Sequence, residues 1–313
     1  MDPKISNLYY SVFKPLIPRR VQIFLRRLIA ERKRRGVGDI WPIDERAGEK
    51  PRKWPGWPDG KKFALVLTHD VEKSGGIEKC LPLMEIDKKY GFRSSFNFVP
   101  GDYPVPPVLR KILTDEGFEV GVHGLTHNGN MFYDRKEFER QSVQINKYLK
   151  EWGSSGFRAP SMYHNLEWIE ELDIEYDSST FDTDPFEPQP DSVGTIFPFS
   201  VNENSSRPGY VELPYTLPQD FLLFIILKQK NIDIWKKKLD WISKQGGMAL
   251  LSVHPDYIYF GGSKAGMEEY PVDYYKDFLN YVRYKYNGQY WQALPRDVSR
   301  YYNNKKQILS EEN

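Results

Sequence analysis

Short apolar runs of strand type alternate with helical stretches from Phe63 to Leu294, and several of the runs end in a polar residue able to do chemistry. The runs are residues 63–68, 95–99, 118–122, 156–158, 174–177, 248–253 and 290–294. Helical stretches at 77–90, 106–116, 134–151, 165–172, 232–245 and 271–286 lie between them. Strands joined through helices pair in parallel, because each crossover returns the chain to the same end of the sheet. Asp70, His123, Arg158, Asp177 and His254 then all stand at the carboxyl ends of strands. In a (β/α) barrel those ends share one face, and active sites are built there.

Composition narrows the functional classes. The chain of 313 residues is 40% hydrophobic, enough for a large α/β core. Residues 1–62 hold 16 Lys and Arg against 7 Asp and Glu, a net of +9, which leaves −8 for the rest. A basic arm thus precedes an acidic body. With that body acidic and no recognition motif present, nucleic acid is not expected as a partner. The single cysteine, Cys80, allows no intrachain disulfide and reads as a small buried hydrophobe. No apolar run approaches the ~18 residues of a membrane span. The best candidate, Phe221 to Leu227, has seven residues.

The amino-terminal apolar stretches are broken by Lys14, Arg19 and Arg20 with no small-residue cleavage site after them, so no signal peptide is expected. The expected location is cytoplasmic, with the inner membrane face as a peripheral address. In the basic region 8–35, Pro18 opens a helix and Val21, Phe24, Leu25 and Leu28 fall at helical spacing among arginines. This segment reads in two ways. It is a surface helix for an anionic membrane or a lipid-linked sugar, or a helix packed on the body with a solvated basic face. Residues 36–62 are rich in Gly and Pro and carry Trp41, Trp54 and Trp57, as a wrapping linker would. The expected division is an extension and linker over 1–62 and a barrel domain over 63–313.

Histidines and acids carry the chemistry. His123 and His127 form an H-x-x-x-H pair after a strand, in a loop favoured by Gly124 and by Asn128-Gly129. Neutral imidazoles brought together in this way suit a metal ion. In Thr68-His69-Asp70-Val71-Glu72 the two acids are able to divide labour, one taking a proton from water and the other binding the ion. Arg158 at a strand end suits pairing with a carboxylate, holding it ionised and oriented. His254, after the apolar run 248–253, suits donation of a proton to a leaving amine. Asp177, with Asp182 and Asp184, forms a weaker acidic signal.

In order and spacing these motifs resemble the polysaccharide deacetylases, the NodB-homology or carbohydrate esterase family 4 group, over residues 63 to about 300. The first motif of that family matches Thr68 to Glu72, the second His123 and His127, and the third Arg158-Ala159-Pro160. The last two match Tyr176-Asp177-Ser178-Ser179 and Leu251 to Pro255 loosely. The common pattern has adjacent aspartates. Here Val71 separates Asp70 from Glu72, as in a variant branch of the family. Ser161 stands where many members have tyrosine. The segment Glu212 to Asp220 and the basic arm also resemble deacetylase-like proteins of surface polysaccharide biosynthesis.

The resemblance implies a distorted (β/α) barrel and a metal-dependent removal of an N-acetyl group from an amino sugar of a cell-surface polysaccharide or its precursor. It implies a divalent metal, Zn2+ being the expected ion, on Glu72, His123 and His127. Asp70, held by Arg158, is the implied base. The Ser161 N–H serves the oxyanion, and His254 is the acid, tuned by Asp177 or Asp182. Two rivals stand beside this reading. One is a hydrolase of another amide or an O-acetyl ester on the same metal site. The other is a non-catalytic carbohydrate-binding or assembly protein that keeps the barrel.

Overall fold

A computed structural model describes residues 17–189, 191–201, 209–262 and 264–311. Residues 8–16 of the basic segment lie outside the described residues. After helix α1 (Arg19–Gly36) come β1 (Phe63–Val71), α2 (Ser74–Tyr90), β2 (Ser95–Phe98), α3 (Pro107–Asp115) and β3 (Glu119–Val122). Then follow α4 (Arg135–Trp152), β4 (Gly156–Phe157), the short α5 (Leu166–Ile169), β5 (Tyr176–Asp177), β6 (Phe199–Val201) and β7 (Tyr210–Glu212). A π-helical turn at Phe221–Ile226 precedes α6 (Asp233–Gln245) and β8 (Met248–Val253). The chain continues through β9 (Ile258–Tyr259), β10 (Tyr270–Pro271), α7 (Asp273–Tyr286), β11 (Tyr290–Ala293) and α8 (Pro295–Glu311). The short strands β6, β7, β9 and β10, the π-helical turn and α8 add to the elements expected from sequence.

Strand β1 is the hub. It pairs in parallel with β8 over 64–69, with β2 over 68–71 and with β11 over 63–66. All nine of its residues are buried, as expected of a strand covered on both faces. The sheet runs from β11 through β1, β2, β3, β4 and β5 to β7 and the antiparallel β6. Beyond β7, bridges at Phe181–Tyr215 and Leu217–Leu251 lead to β8, which returns to β1. The curled sheet thereby closes as a distorted barrel with helices around it.

Alternation along the hub decides what lies inside. Ala64 and Val66 join Val211, Leu213, Met248 and Leu250 in the cluster that fills the barrel. Phe63, Leu65, Leu67 and Val71 face outward to the helices with Leu83, Trp235, Phe278 and Leu279. Side chains alternate along a strand, so Thr68 and Asp70 continue the inward row and His69 the outward one. The same holds on β8, where Met248 and Leu250 are followed inward by Ser252 and then His254.

Helix ends follow ordinary rules. The Asp134 side chain accepts the Glu137 N–H at 3.0 Å to start α4, and Gly153 ends it with φ of 61°. The segment between α1 and β1 is tied to the barrel. The Trp57 indole donates to the Gly246 carbonyl at 2.8 Å, and Ile196 N–H donates to the Ala47 carbonyl. No helix among the described residues is long and apolar enough to cross a membrane.

Candidate active site

At the carboxyl end of the barrel, Asp70 is buried and fully engaged. Its Oδ1 accepts from Asn97 Nδ2 at 2.7 Å; its Oδ2 accepts from Arg158 Nη1 at 3.0 Å and from Ser252 Oγ at 2.8 Å. Arg158 is only 1% exposed. Besides Asp70 it donates to the Ser178 carbonyl, Ser178 Oγ, Thr68 Oγ1 and Ser252 Oγ, each at 2.8 Å. A guanidinium held on five acceptors is a fixed charge. Burial by itself raises the Asp70 carboxyl, but the charges of Arg158, His123 and His254 outweigh it and hold the group well below the usual carboxylate range.

The histidines differ in environment. His123 is buried, and its Nδ1 donates to the Arg158 carbonyl at 3.1 Å. That bond fixes the proton on Nδ1 and leaves the Nε2 lone pair available. Burial depresses the ring to about 4, so it is neutral at pH 7. His127 sits nearer the rim with its ring centroid 5.2 Å from that of His123. The two rings are carried by one loop, whose shape requires Gly124. Its φ is +68°, and a Cβ there would lie 2.4 Å from Pro160 Cγ. Pro160 and Ser161 belong to the turn after Arg158, so the histidine and arginine loops close on each other. Ser161 itself has φ of 56° and is exposed at this rim.

Glu72 lies between the histidines. Its Oε1 is 3.3 Å from His127 Nε2 and 3.8 Å from His254 Nε2, and Tyr257 donates to its Oε2. Although burial opposes ionisation, the His127 and His254 charges hold the Glu72 carboxyl well below its ordinary value. Among the described residues, no three His, Cys, Asp or Glu side chains are gathered as a ready-made metal cage. The donors still fit a divalent ion in kind. His127 Nε2 is buried without a hydrogen-bond partner beside the Glu72 carboxylate, and His123 Nε2 keeps its lone pair.

His254 closes the far side of the group. Its Nδ1 bonds Asp220 Oδ1 at 2.6 Å, and its backbone N–H donates to Asp220 Oδ2 at 2.8 Å. Burial works against a charged imidazole, yet the Asp220 carboxylate, with Glu72 and Asp70, raises the ring to about 10. His254 is therefore protonated at neutral pH.

The expected partner of His254 is corrected. Neither Asp177 nor Asp182 bonds it; Asp220 does. Asp177 accepts from Ser179 Oγ at 2.6 Å and pairs in register with Glu212 on β7. Asp182 is engaged by the buried ammonium of Lys238. Each of these acids is thus directed into a separate buried network. Asn97, Ser252, Asp220 and Tyr257 are the site residues that sequence reasoning missed. Asn97 left a signal, as an inward polar position between Phe96 and Phe98; Asp220 left only an acid before an apolar run. His69 packs outside the site, bonded to Asp87 at 2.9 Å. A cavity of about 310 Å³ lined by Lys50, Lys61, Lys62 and Lys244 with Trp54 and Trp57 lies at the opposite, amino-terminal end of the strands.

No family model matches the chain, and no curated protein matches it. Solved structures do. A structure assigned to the polysaccharide deacetylases from Mycobacterium smegmatis aligns with a TM-score of 0.60 at 17% identity, covering 82% of this chain and 96% of that one. The Puue allantoinase aligns at 0.61 and 16%, covering 84% and 98%. A structure assigned to the polysaccharide deacetylases from Pseudomonas aeruginosa PAO1 gives the same figures, 0.61, 16%, 84% and 98%. At such identities the likeness is one of fold, and the chain has the NodB-type (β/α) barrel fold of the polysaccharide deacetylases.

Proposed function

We propose that the chain is a carbohydrate deacetylase that hydrolyses an N-acetyl group on an amino sugar of a cell-surface polysaccharide or its precursor. One observation carries the reading: a carboxylate held ionised by Arg158 faces the same small site as a histidine held protonated by Asp220. Two titratable groups pushed in opposite directions at one site make a base and an acid. Solved structures with this fold that are assigned to the polysaccharide deacetylases support the choice of reaction.

Asp70 accepts the proton of the attacking water, whose oxygen adds to the acetyl carbonyl. The Ser161 N–H stands at the rim as a donor for the oxyanion, a main-chain role that needs no particular side chain. The tetrahedral centre then collapses, the C–N bond breaks, and His254 Nε2 gives its proton to the departing amine. Acetate and the free amino sugar result. His123, His127 and Glu72 are the residues to hold a divalent ion. Such an ion, with Zn2+ expected, would supply Lewis acidity and bring the pKa of water toward about 7.

The test is acetate release from short N-acetylglucosamine oligomers by the Zn2+-dialysed protein. Asp70→Asn should retain the fold and lose at least about 100-fold in kcat, the scale of a positioned base. Glu72→Ala should raise the Zn2+ concentration needed for half-maximal binding in equilibrium dialysis. Undiminished turnover by the Asp70→Asn protein would remove the proposed base. Acetate freed from O-acetyl esters alone would move the reading to an esterase.

A further inference from the structure

Helix α1 is amphipathic in the wrong sense for a helix that serves only the core. Its docked side is narrow. Ile23 and Ala30 are buried, Arg27 donates to the Ile225 carbonyl at 3.0 and 2.8 Å, and Arg19 pairs with Glu268 at 2.6 Å. Val21, Phe24, Leu25, Leu28 and Ile29 all face away, with exposures of 43%, 57%, 39%, 47% and 57%. At 3.6 residues per turn these five occupy roughly 140° of arc, a continuous apolar stripe. Isolated exposed hydrophobics are ordinary, but five on one helix face are not. Charge around the stripe is mostly basic: Arg20 lies at its edge beside Glu31, and Arg32 and Arg35 continue its face toward the end of the helix. Arg20, Arg32 and Arg35 are exposed, and the helix holds eight Arg and Lys against the single acid Glu31.

We propose that α1 lies flat on an anionic membrane surface, with the stripe in the boundary between headgroups and acyl chains. Charge complementarity selects this occupant. A second copy of the same helix would bring two arrays of arginine together, whereas an anionic bilayer matches both the apolar arc and the mostly basic charge around it. The helix is also joined to the candidate active site. Its Arg26 guanidinium lies 4.9 Å over the Phe221 ring, and Phe221 packs at 4.6 Å on Tyr257, which bonds Glu72. Phe221 follows Asp220, the partner of His254. A membrane under α1 therefore lies alongside the barrel mouth. The binding surface stands whether or not the deacetylase reading holds.

The experiment is co-sedimentation of the full chain with vesicles of phosphatidylglycerol and phosphatidylcholine in equal parts, with pure phosphatidylcholine as the comparison. The wild-type chain should sediment with the anionic vesicles and partition at least tenfold less onto the neutral ones. Phe24→Glu combined with Leu28→Glu should abolish binding at unchanged thermal stability, since both positions are exposed. Arg20→Gln with Arg32→Gln and Arg35→Gln should weaken binding by roughly fivefold per charge near the surface, and added salt should do the same. A wild-type chain that stays in the supernatant overturns the proposal. So does a folded Phe24→Glu/Leu28→Glu chain that sediments unchanged. A dimer in light scattering that this double variant converts to monomer would assign the stripe to a second copy instead.

Discussion

His254 owes its protonated state chiefly to one carboxylate. Asp220 binds both its ring and its backbone N–H, and the Tyr270 hydroxyl donates to the same carboxylate at 2.9 Å, so the acid is itself oriented. Removing that charge leaves burial to act on the imidazole without opposition from Asp220. Asp220→Asn should thus lower the His254 pKa from about 10 and move the alkaline limb of the pH–rate profile of kcat to lower pH. Turnover at pH 8 should fall by about 100-fold, the span of a general acid. An unmoved alkaline limb would show that His254 does not donate the proton. Sequence pointed to the acid role of His254 but to the wrong carboxylate. Asp177 and Asp182 end or follow a strand, which is the visible signal. Asp220 lies 34 residues before His254 in a stretch without regular periodicity. Its partnership is made by the chain crossing from β7 to β8, which no local pattern encodes.

Among the elements, the strands were the most legible because parity links sequence to position. On β1 a continuous apolar run hides two rows, and the inward row ends in Asp70 while the outward row carries His69 and Val71. The run alone marked a buried strand, and register against β8 shows which row is which. Register also explains a glycine. Gly121 on β3 pairs with Asn97 on β2, and a Cβ at 121 would lie 2.1 Å from Asn97 Oδ1. Asn97 in turn donates to Asp70. Gly121→Ala should therefore push Asn97 off the carboxylate, costing about 1–3 kcal/mol as overpacking and lowering kcat with little change in KM. Denaturant melts and steady-state rates read the two effects, and a variant with native stability and rate would show that Asn97 adjusts freely. Pairings such as β6 with β7 were illegible for the opposite reason: three-residue strands have too few positions to display a period.

At the scale of the molecule, the segment before β1 packs on the barrel and its helices. Trp41 meets Phe186 edge-on at 5.0 Å between centroids, and Lys238 of α6 donates to the Pro42 carbonyl at 2.6 Å while engaging Asp182. The tryptophans in a Gly- and Pro-rich stretch announced that it packs on something, but not on what. Asp184 is buried at this junction of extension, loop and helix, with its Oδ1 accepting the Phe186 N–H at 2.9 Å and its Oδ2 unpaired. Burial first, and then the charge of Glu187, push its carboxyl up to about 8 from an ordinary 3.8. A carboxyl raised in the folded state favours folding fully below about pH 4. That contribution is lost as pH rises through 8, because the unfolded chain gives up the proton far more readily. Asp184→Asn keeps the shape and supplies a neutral group at every pH. The melting temperature of the variant relative to wild type should therefore rise steadily from pH 5 and level off above about pH 8. Equal pH dependence of the two proteins would mean that Asp184 is ionised in the folded chain, and that the junction tolerates its charge.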